Sequence, residues 1–379
     1  MSKQMTPRQR MLVAYRGELT DAIPVAPEFW YYVPARLLGM SMVEFELEVP
    51  HWQALQHTFK HYGCEGWGIV GPANDVRAGQ ERLCLTRLDE RRFEAVRSFR
   101  IGSAEIQSRS IMDVHEPSWL IEHYVKDWDT DWPVYEHLAM PPLESLDWGP
   151  AQAALDRVGE DYLLEVFVGF PFIDFIGNQR KGGLEQVLVD LTERETEMLD
   201  LLDRYCDYLS RKTALAFEKT TAVSVFVASS WSSLSLLSPR LWRRWERPVL
   251  QAVVDAAHRK GGLAHHHFHG RCMAVLPDLA GLGLDCICPF ERPPGGDVSD
   301  VRAVRRILNE RVAFNGNVHT VETLLRGTPA DVAREVAEIV EAFRGSRRLI
   351  VGTGDQVAGD TPDKNIHTMI EVARHLSQT

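Results

Sequence analysis

The second half of the chain repeats one pattern: a short apolar run, a burst of polar or small residues, then an amphipathic stretch of helical period. That pattern predicts βα units. Strands are expected at Tyr162–Val168, Val223–Ala228, Gly262–His266, Leu284–Cys288, Val312–Asn315 and Leu349–Gly352. Helices are expected at Pro239–His258, Val301–Glu310, Pro329–Phe343 and Pro362–Leu376, several of them opening on a proline, which suits the unpaired amides of a first turn. Six successive units favour a parallel sheet covered by helices, and two further strands close it into an α/β fold of the (β/α)8 TIM type. Ile23–Pro27 is one candidate for those two. Alternating patterns such as Phe93–Ile106 predict an antiparallel hairpin instead, so a β-rich insertion is expected around residues 67–142, with Pro141-Pro142 as its exit. The chain, residues 1–379, therefore reads as a single barrel domain carrying that insertion.

Composition leaves this picture intact and narrows the partners. The chain is 45% hydrophobic and 25% charged, enough apolar content for a large core. A formal net charge of −11 argues against binding to nucleic acid, whose phosphates are neutralised by Lys and Arg. The basic clusters Arg91-Arg92 and Arg344 with Arg347-Arg348 are short enough to be solvated surface. Met1–Arg10 is polar and basic without an apolar centre, and no apolar run approaches the ~20 residues of a membrane span. A cytoplasmic location is expected, with a small-molecule substrate and no membrane partner. Six cysteines never form Cys-x-x-Cys; they read as free thiols in the core, with Cys286 and Cys288 as the exceptions to watch.

Chemistry in a parallel barrel gathers at the C-terminal ends of the strands. The strand ends here carry Glu28, Glu165, Ser229-Ser230-Trp231, His265 to His269, Cys288 with Glu291, Asn315 to His319, and Gly352 to Asp355. Alternation places His265, His267 and His269 on one face of a strand and His266 with Phe268 on the other. His267 and His269 form a His-x-His pair suited to a metal ion, with Asp355 and Cys288 as the reachable further ligands and His319 and Glu165 behind them. The alternative is a metal-free hydrogen-bonding or acid–base network. The expected catalytic groups are Glu165, His319 and Asp355. Substrate contacts are expected from Glu28, Trp30, Tyr32, Trp231 and Asn317, because the loop Glu28–Tyr32 offers aromatic faces and one carboxylate to the barrel mouth. A second possibility is that Phe29 and Tyr31 pack beneath helices; Trp30, Trp231, Trp242 and Trp245 could line an aromatic pocket, but the helical spacing of Trp242 and Trp245 favours packing. Gly295-Gly296-Asp297 and Gly352-x-Gly354 lack a dinucleotide fingerprint, and Ser229-Ser230 lacks a nucleophile-elbow motif.

Several ordered segments resemble the uroporphyrinogen decarboxylase-like superfamily: Thr6 to Arg10, Asp21 to Val25, His267-Phe268-His269-Gly270, Leu276 to Leu279, Pro289 to Asp297, Gly316-Asn317-Val318, Leu324 to Pro329, and Asp360-Thr361-Pro362 with Asn365. The resemblance implies a barrel enzyme, either a decarboxylase working without metal or a zinc-dependent methyltransferase that exchanges methyl groups with a corrinoid. The decarboxylases grip an acidic tetrapyrrole with an early Arg-Gln-Ala-Gly-Arg segment; here that region reads Pro27-Glu28-Phe29-Trp30-Tyr31-Tyr32, which would repel a polyanion. The methyltransferases take zinc ligands from His-x-Cys and from a late Cys. His267 matches the first, His269 stands at the expected Cys, and Asp355 occupies the late position. Replacing thiolates by imidazole and carboxylate makes a bound ion harder and better suited to an oxygen leaving group. The resemblance therefore implies zinc, and a methyltransferase demethylating a small methoxylated, aromatic substrate. The chain lacks an Asp-x-His-x-x-Gly segment, so the corrinoid would come on a separate protein. A metal-free lyase or decarboxylase acting on a small carboxylated substrate, and a non-catalytic binding barrel, are the other readings.

Overall fold

Residues 4–74 and 80–377 are described by a computed structural model. Met1–Lys3 of the polar N-terminal stretch and positions 75–79 of the expected insertion lie outside the described residues. Eight parallel strands carry the fold: β1 (Val25–Glu28), β2 (Trp67–Val70), β3 (Leu163–Gly169), β4 (Ser224–Ser229), β5 (Leu263–Phe268), β6 (Cys286–Cys288), β7 (Ala313–Val318) and β8 (Leu349–Gln356). They pair in chain order from β2 to β8, and β8 then pairs with β1 through Val25 opposite Val351. All six strands expected in the second half are present, each within a few residues of its predicted bounds. No ladder joins β1 to β2 among the described residues; there the side chains of Trp30 and Trp67 meet edge to face, 5.4 Å between centroids.

Alternation sorts each strand into two environments. Trp67, Leu163, Phe226, Leu263, Cys286, Ala313 and Ile350 point inward into one apolar cluster, while Leu164, Val166, Val225, Ala264, Ile287 and Phe314 pack outward beneath the helices. The helix Pro7–Arg16 contributes Met11, Leu12, Ala14 and Tyr15 to the inner cluster. Thr6 and Gln9 start it with a reciprocal capping box, which satisfies two of the free amides. The expected helix Pro239–His258 is two, Pro239–Trp245 and Arg247–Arg259, with the break at buried Glu246. Pro248 has no N–H to give, so the ladder is interrupted there. Trp242 and Trp245 are buried packing residues.

The expected insertion starts later than its first residue suggested, because Trp67–Val70 is the second barrel strand, in register with Leu163–Val166. An apolar run of four residues gives no period to separate it from the β-rich segment that follows. Beyond it, Glu81–Arg87, Arg92–Ile101, Ala104–Asp113 and Trp119–Glu122 form a four-stranded antiparallel sheet. Its central hairpin is the predicted one, turning at Gly102 with φ 57°. No helix among the described residues is long and apolar enough to cross a membrane.

Candidate functional site

Register brings the polar groups together. Ala228 lies opposite His267, and His267 opposite Cys288, so the ends of β4, β5 and β6 are level. His265, His267 and His269 do share the inward face, and His266 with Phe268 takes the outward one, where His266 Nδ1 lies 3.1 Å from the Val227 carbonyl and burial lowers that imidazole to about 3.

The deeper layer is closed. His265 Nδ1 lies 2.8 Å from Glu165 Oε2 and 3.0 Å from the Tyr15 hydroxyl, while its Nε2 is 3.2 Å from Cys288 Sγ. Ser224 Oγ donates to the other Glu165 oxygen at 2.5 Å. Glu165 is completely buried and fully engaged, so it supports the site from below and does not reach the mouth as expected of a catalytic group.

One step nearer the mouth, the donors converge without such closure. His267 Nδ1 is 3.5 Å from Cys288 Sγ and 3.8 Å from Glu28 Oε1, and these three ligand atoms lie within 4.8 Å of one another. A second triad follows: His269 Nδ1 is 3.3 Å from Glu291 Oε2 and 3.8 Å from Asp355 Oδ2. The expected set His267, His269, Asp355 and Cys288 is thus divided between two neighbouring triads whose imidazoles stack 6.4 Å apart. Tetrahedral donors at zinc distances stand about 3.3–3.8 Å apart, and the imidazole contacts of both triads fall in that range.

Local backbone aims these groups. Gly270 has φ 84°, and a Cβ there would come within 2.6 Å of Ser233 Oγ; the glycine turn presents its amide to Glu291, which accepts it. Phe290, at φ 58° and stacked on Phe314, turns the chain so that Glu291 points back to the rim. The Trp30 indole N–H donates to Glu28, and the ring stacks on His51 at 5.1 Å.

The electrostatics are those of a site short of positive charge. Burial pushes the Glu28 carboxyl well above the usual carboxylate range, and nearby Asp355 pushes it further. Burial also raises Glu291 and Asp355, against the opposing pull of His269. The Cys288 thiol is raised by burial and then by Glu28, and the His267 imidazole is held well below its ordinary value by burial.

Other expected residues fall elsewhere. His319 caps the turn Thr320–Leu325, its Nδ1 accepting the amides of Val321 and Glu322 and its Nε2 lying 3.2 Å from the Pro293 carbonyl, so its ring is engaged as a cap outside both triads. Tyr32 donates to Glu116 at 2.8 Å, on the side of the inserted sheet. Phe29 packs on Phe59 and Tyr62, and Tyr31 packs beside Phe45, which leaves Trp30 as the aromatic residue of that loop at the rim. Asn317 is buried; its Nδ2 donates to Phe290 at 2.9 Å and its Oδ1 has no partner. Trp231 stands over a neighbouring cavity. The serine turn before it is held by buried Asp174, which accepts the amides of Ser230 and Trp231 and the Ser232 hydroxyl, so these serines are a strand-end turn. Asp174, Tyr15 and Glu291 were not expected as site residues; only Glu291 carried a sequence signal, its place just beyond a strand end.

Comparison with known proteins agrees with this fold. A methyltransferase from Methanosarcina mazei superposes with a TM-score of 0.67 over 98% of this chain and 99% of its own, at 17% identity, which is a likeness of fold. A uroporphyrinogen decarboxylase from Pseudoalteromonas translucida (strain TAC 125) is 25% identical over 188 residues, 47% of each chain, so this protein spans about half the length of the curated relative it matches. The family model described as uroporphyrinogen decarboxylase (URO-D) matches residues 153–376, which carry β3 to β8 and every rim ligand except Glu28. With more than half of its length matched, the chain belongs to the uroporphyrinogen decarboxylase (URO-D) family.

Proposed function

We propose that this protein is a metal-assisted methyltransferase that removes a methyl group from a small methoxylated aromatic substrate and passes it to a corrinoid carried by a separate protein. The observation that supports it is the convergence of three carboxylates, two imidazoles and a thiol at the strand ends with no Lys or Arg among the main influences on their protonation. Such a set is stabilised by a cation, which lowers the raised carboxyl and thiol pKa values together. Glu28, His267 and Cys288 would hold it: they are buried, and their O, N and S donors are those of zinc. Bound there, a divalent ion supplies Lewis acidity toward an oxygen leaving group.

The protein's own groups do the rest. His265, fixed by Glu165, sits under Cys288 and sets its position. Trp30 shields one side of Glu28 and offers a flat face to an aromatic ring. His269 turns Nδ1 to Glu291 and Asp355, leaving Nε2 to deliver a proton to the departing phenolate oxygen, which keeps the electron pair of the broken O–CH3 bond. The name carried by the Methanosarcina protein fits this reading. The second reading, a metal-free decarboxylase of a small carboxylated substrate, is favoured by the raised Glu28 carboxyl, which holds its proton more strongly than an ordinary carboxylate does. Incubating the metal-loaded protein with methoxylated benzoates and reduced cobalamin distinguishes them: the phenolic acid and methylcobalamin are expected, whereas carbon dioxide release without either product would overturn the proposal.

A further inference from the structure

The helix Glu195–Lys219 lies against β3, and it comes close because residue 169 has no side chain: a Cβ at Gly169 would sit 2.9 Å from the Tyr205 hydroxyl. This helix carries Lys212, whose ammonium donates to the Val168 carbonyl at 2.9 Å. No carboxylate pairs with it among the described residues. The ammonium borders a cavity of about 790 Å³ walled by Trp119, Phe170, Phe175, Tyr205, Tyr208 and Trp231, with no Asp or Glu in its lining. In a chain with 53 acidic against 42 basic side chains, a cation set in an aromatic cavity without a counter-charge is short of an anion. Burial lowers this ammonium to about 8, which leaves it charged at neutral pH.

The cavity adjoins the rim site through Phe167. Its ring lines the cavity and also packs in the inner cluster with Trp67 and Phe226, the rings that flank His267. Gly169 pairs with Val227 and Val227 with His266, so the cavity wall and the histidine strand are two strand spacings apart, about 10 Å. A single substituted benzene ring with one anionic end has that reach.

We propose that the cavity binds an aryl carboxylate, with the carboxylate on Lys212 Nζ, the ring against the aromatic walls and the far substituent directed to the rim. This deepens the methyltransferase reading by naming the substrate class, and it rests on that reading only for what happens to the ligand once bound. Calorimetric titration with para-methoxybenzoate and its uncharged isostere para-methoxybenzamide tests it. The folded wild type should prefer the carboxylate by roughly tenfold or more, the scale of one charge-assisted hydrogen bond. Lys212→Met should abolish that preference while leaving amide binding and metal content unchanged, and Lys212→Arg should keep part of it. Equal binding of the two ligands by the wild type, or an undiminished preference in Lys212→Met, would overturn the proposal. If the Met variant folds poorly, Trp231→Ala decides: a several-fold loss of carboxylate affinity is expected, and no change contradicts the placement. Metal-stripped protein should retain the preference, so failure of the rim reading is distinguishable from failure of this site.

Discussion

Two layers of histidine and carboxylate lie one above the other in this barrel, and they behave differently. In the lower layer His265 and Glu165 are completely buried, and Tyr15, Ser224 and Cys288 occupy the remaining positions around them. In the upper layer Glu28, His267 and Cys288 form one group of donors within ligand distance, and His269, Glu291 and Asp355 a second, with the His269 side chain 41% exposed. The residue types are nearly the same. What differs is whether the polar atoms are already satisfied, and that separates a closed layer from one with donors to spare.

The sharpest break of this comparison is His265→Ala, which strands the Glu165 carboxylate in the core. Removing one partner of a buried pair typically costs about 3–5 kcal/mol, read by urea denaturation. The same change at His267 in metal-free protein should cost clearly less, because its neighbours are not committed to it; equal losses would erase the distinction between the layers. Next in size is Cys288→Ser, expected to weaken zinc binding by more than about 100-fold, since even outer partners of a ligand are worth 10–100-fold. Competition with a chromogenic chelator measures it, and an unchanged affinity would move the ion elsewhere.

A subtler test uses pH. In metal-free protein the folded state holds the Glu28 proton to higher pH than the unfolded chain does, so this group's stabilisation is present at low pH and lost as pH rises through the raised value. Relative to Glu28→Gln, the wild type should therefore lose stability as pH rises above the usual carboxylate range, and added zinc should reverse the trend. A flat difference curve would contradict the burial argument. Smallest of all, His319→Ala should cost about 1 kcal/mol, the worth of a helix cap, with metal content and turnover unchanged. A large loss of turnover without loss of stability would restore it to the active site.

Much of this was legible in the sequence. The strand-loop-helix rhythm located six strands, and alternation over His265–His269 separated inward from outward rings, because a period of two is a local property. Trp67–Val70 was absorbed into the insertion since its run is too short to show a period. The functional partition was not legible at all. Glu165 and Glu28 both sit on inward faces, and only their depth along the barrel, fixed by register between strands far apart in the chain, separates the closed layer from the proposed ligand. His319 looked catalytic because it follows a strand; its ring turns instead to two amides that only the fold exposes. Lys212 gave no signal, as a lysine in a long amphipathic helix normally faces water.

The central claim is that the upper layer is a cation site built on Glu28, His267 and Cys288. Elemental analysis of protein prepared without a histidine tag tests it most directly, comparing wild type with His267→Ala, Cys288→Ser and His269→Ala. The account predicts a near-stoichiometric divalent ion in the wild type, its loss from His267→Ala and Cys288→Ser, and its retention in His269→Ala. Wild-type protein that neither contains nor takes up a divalent ion, or variants that all keep it, would contradict the account.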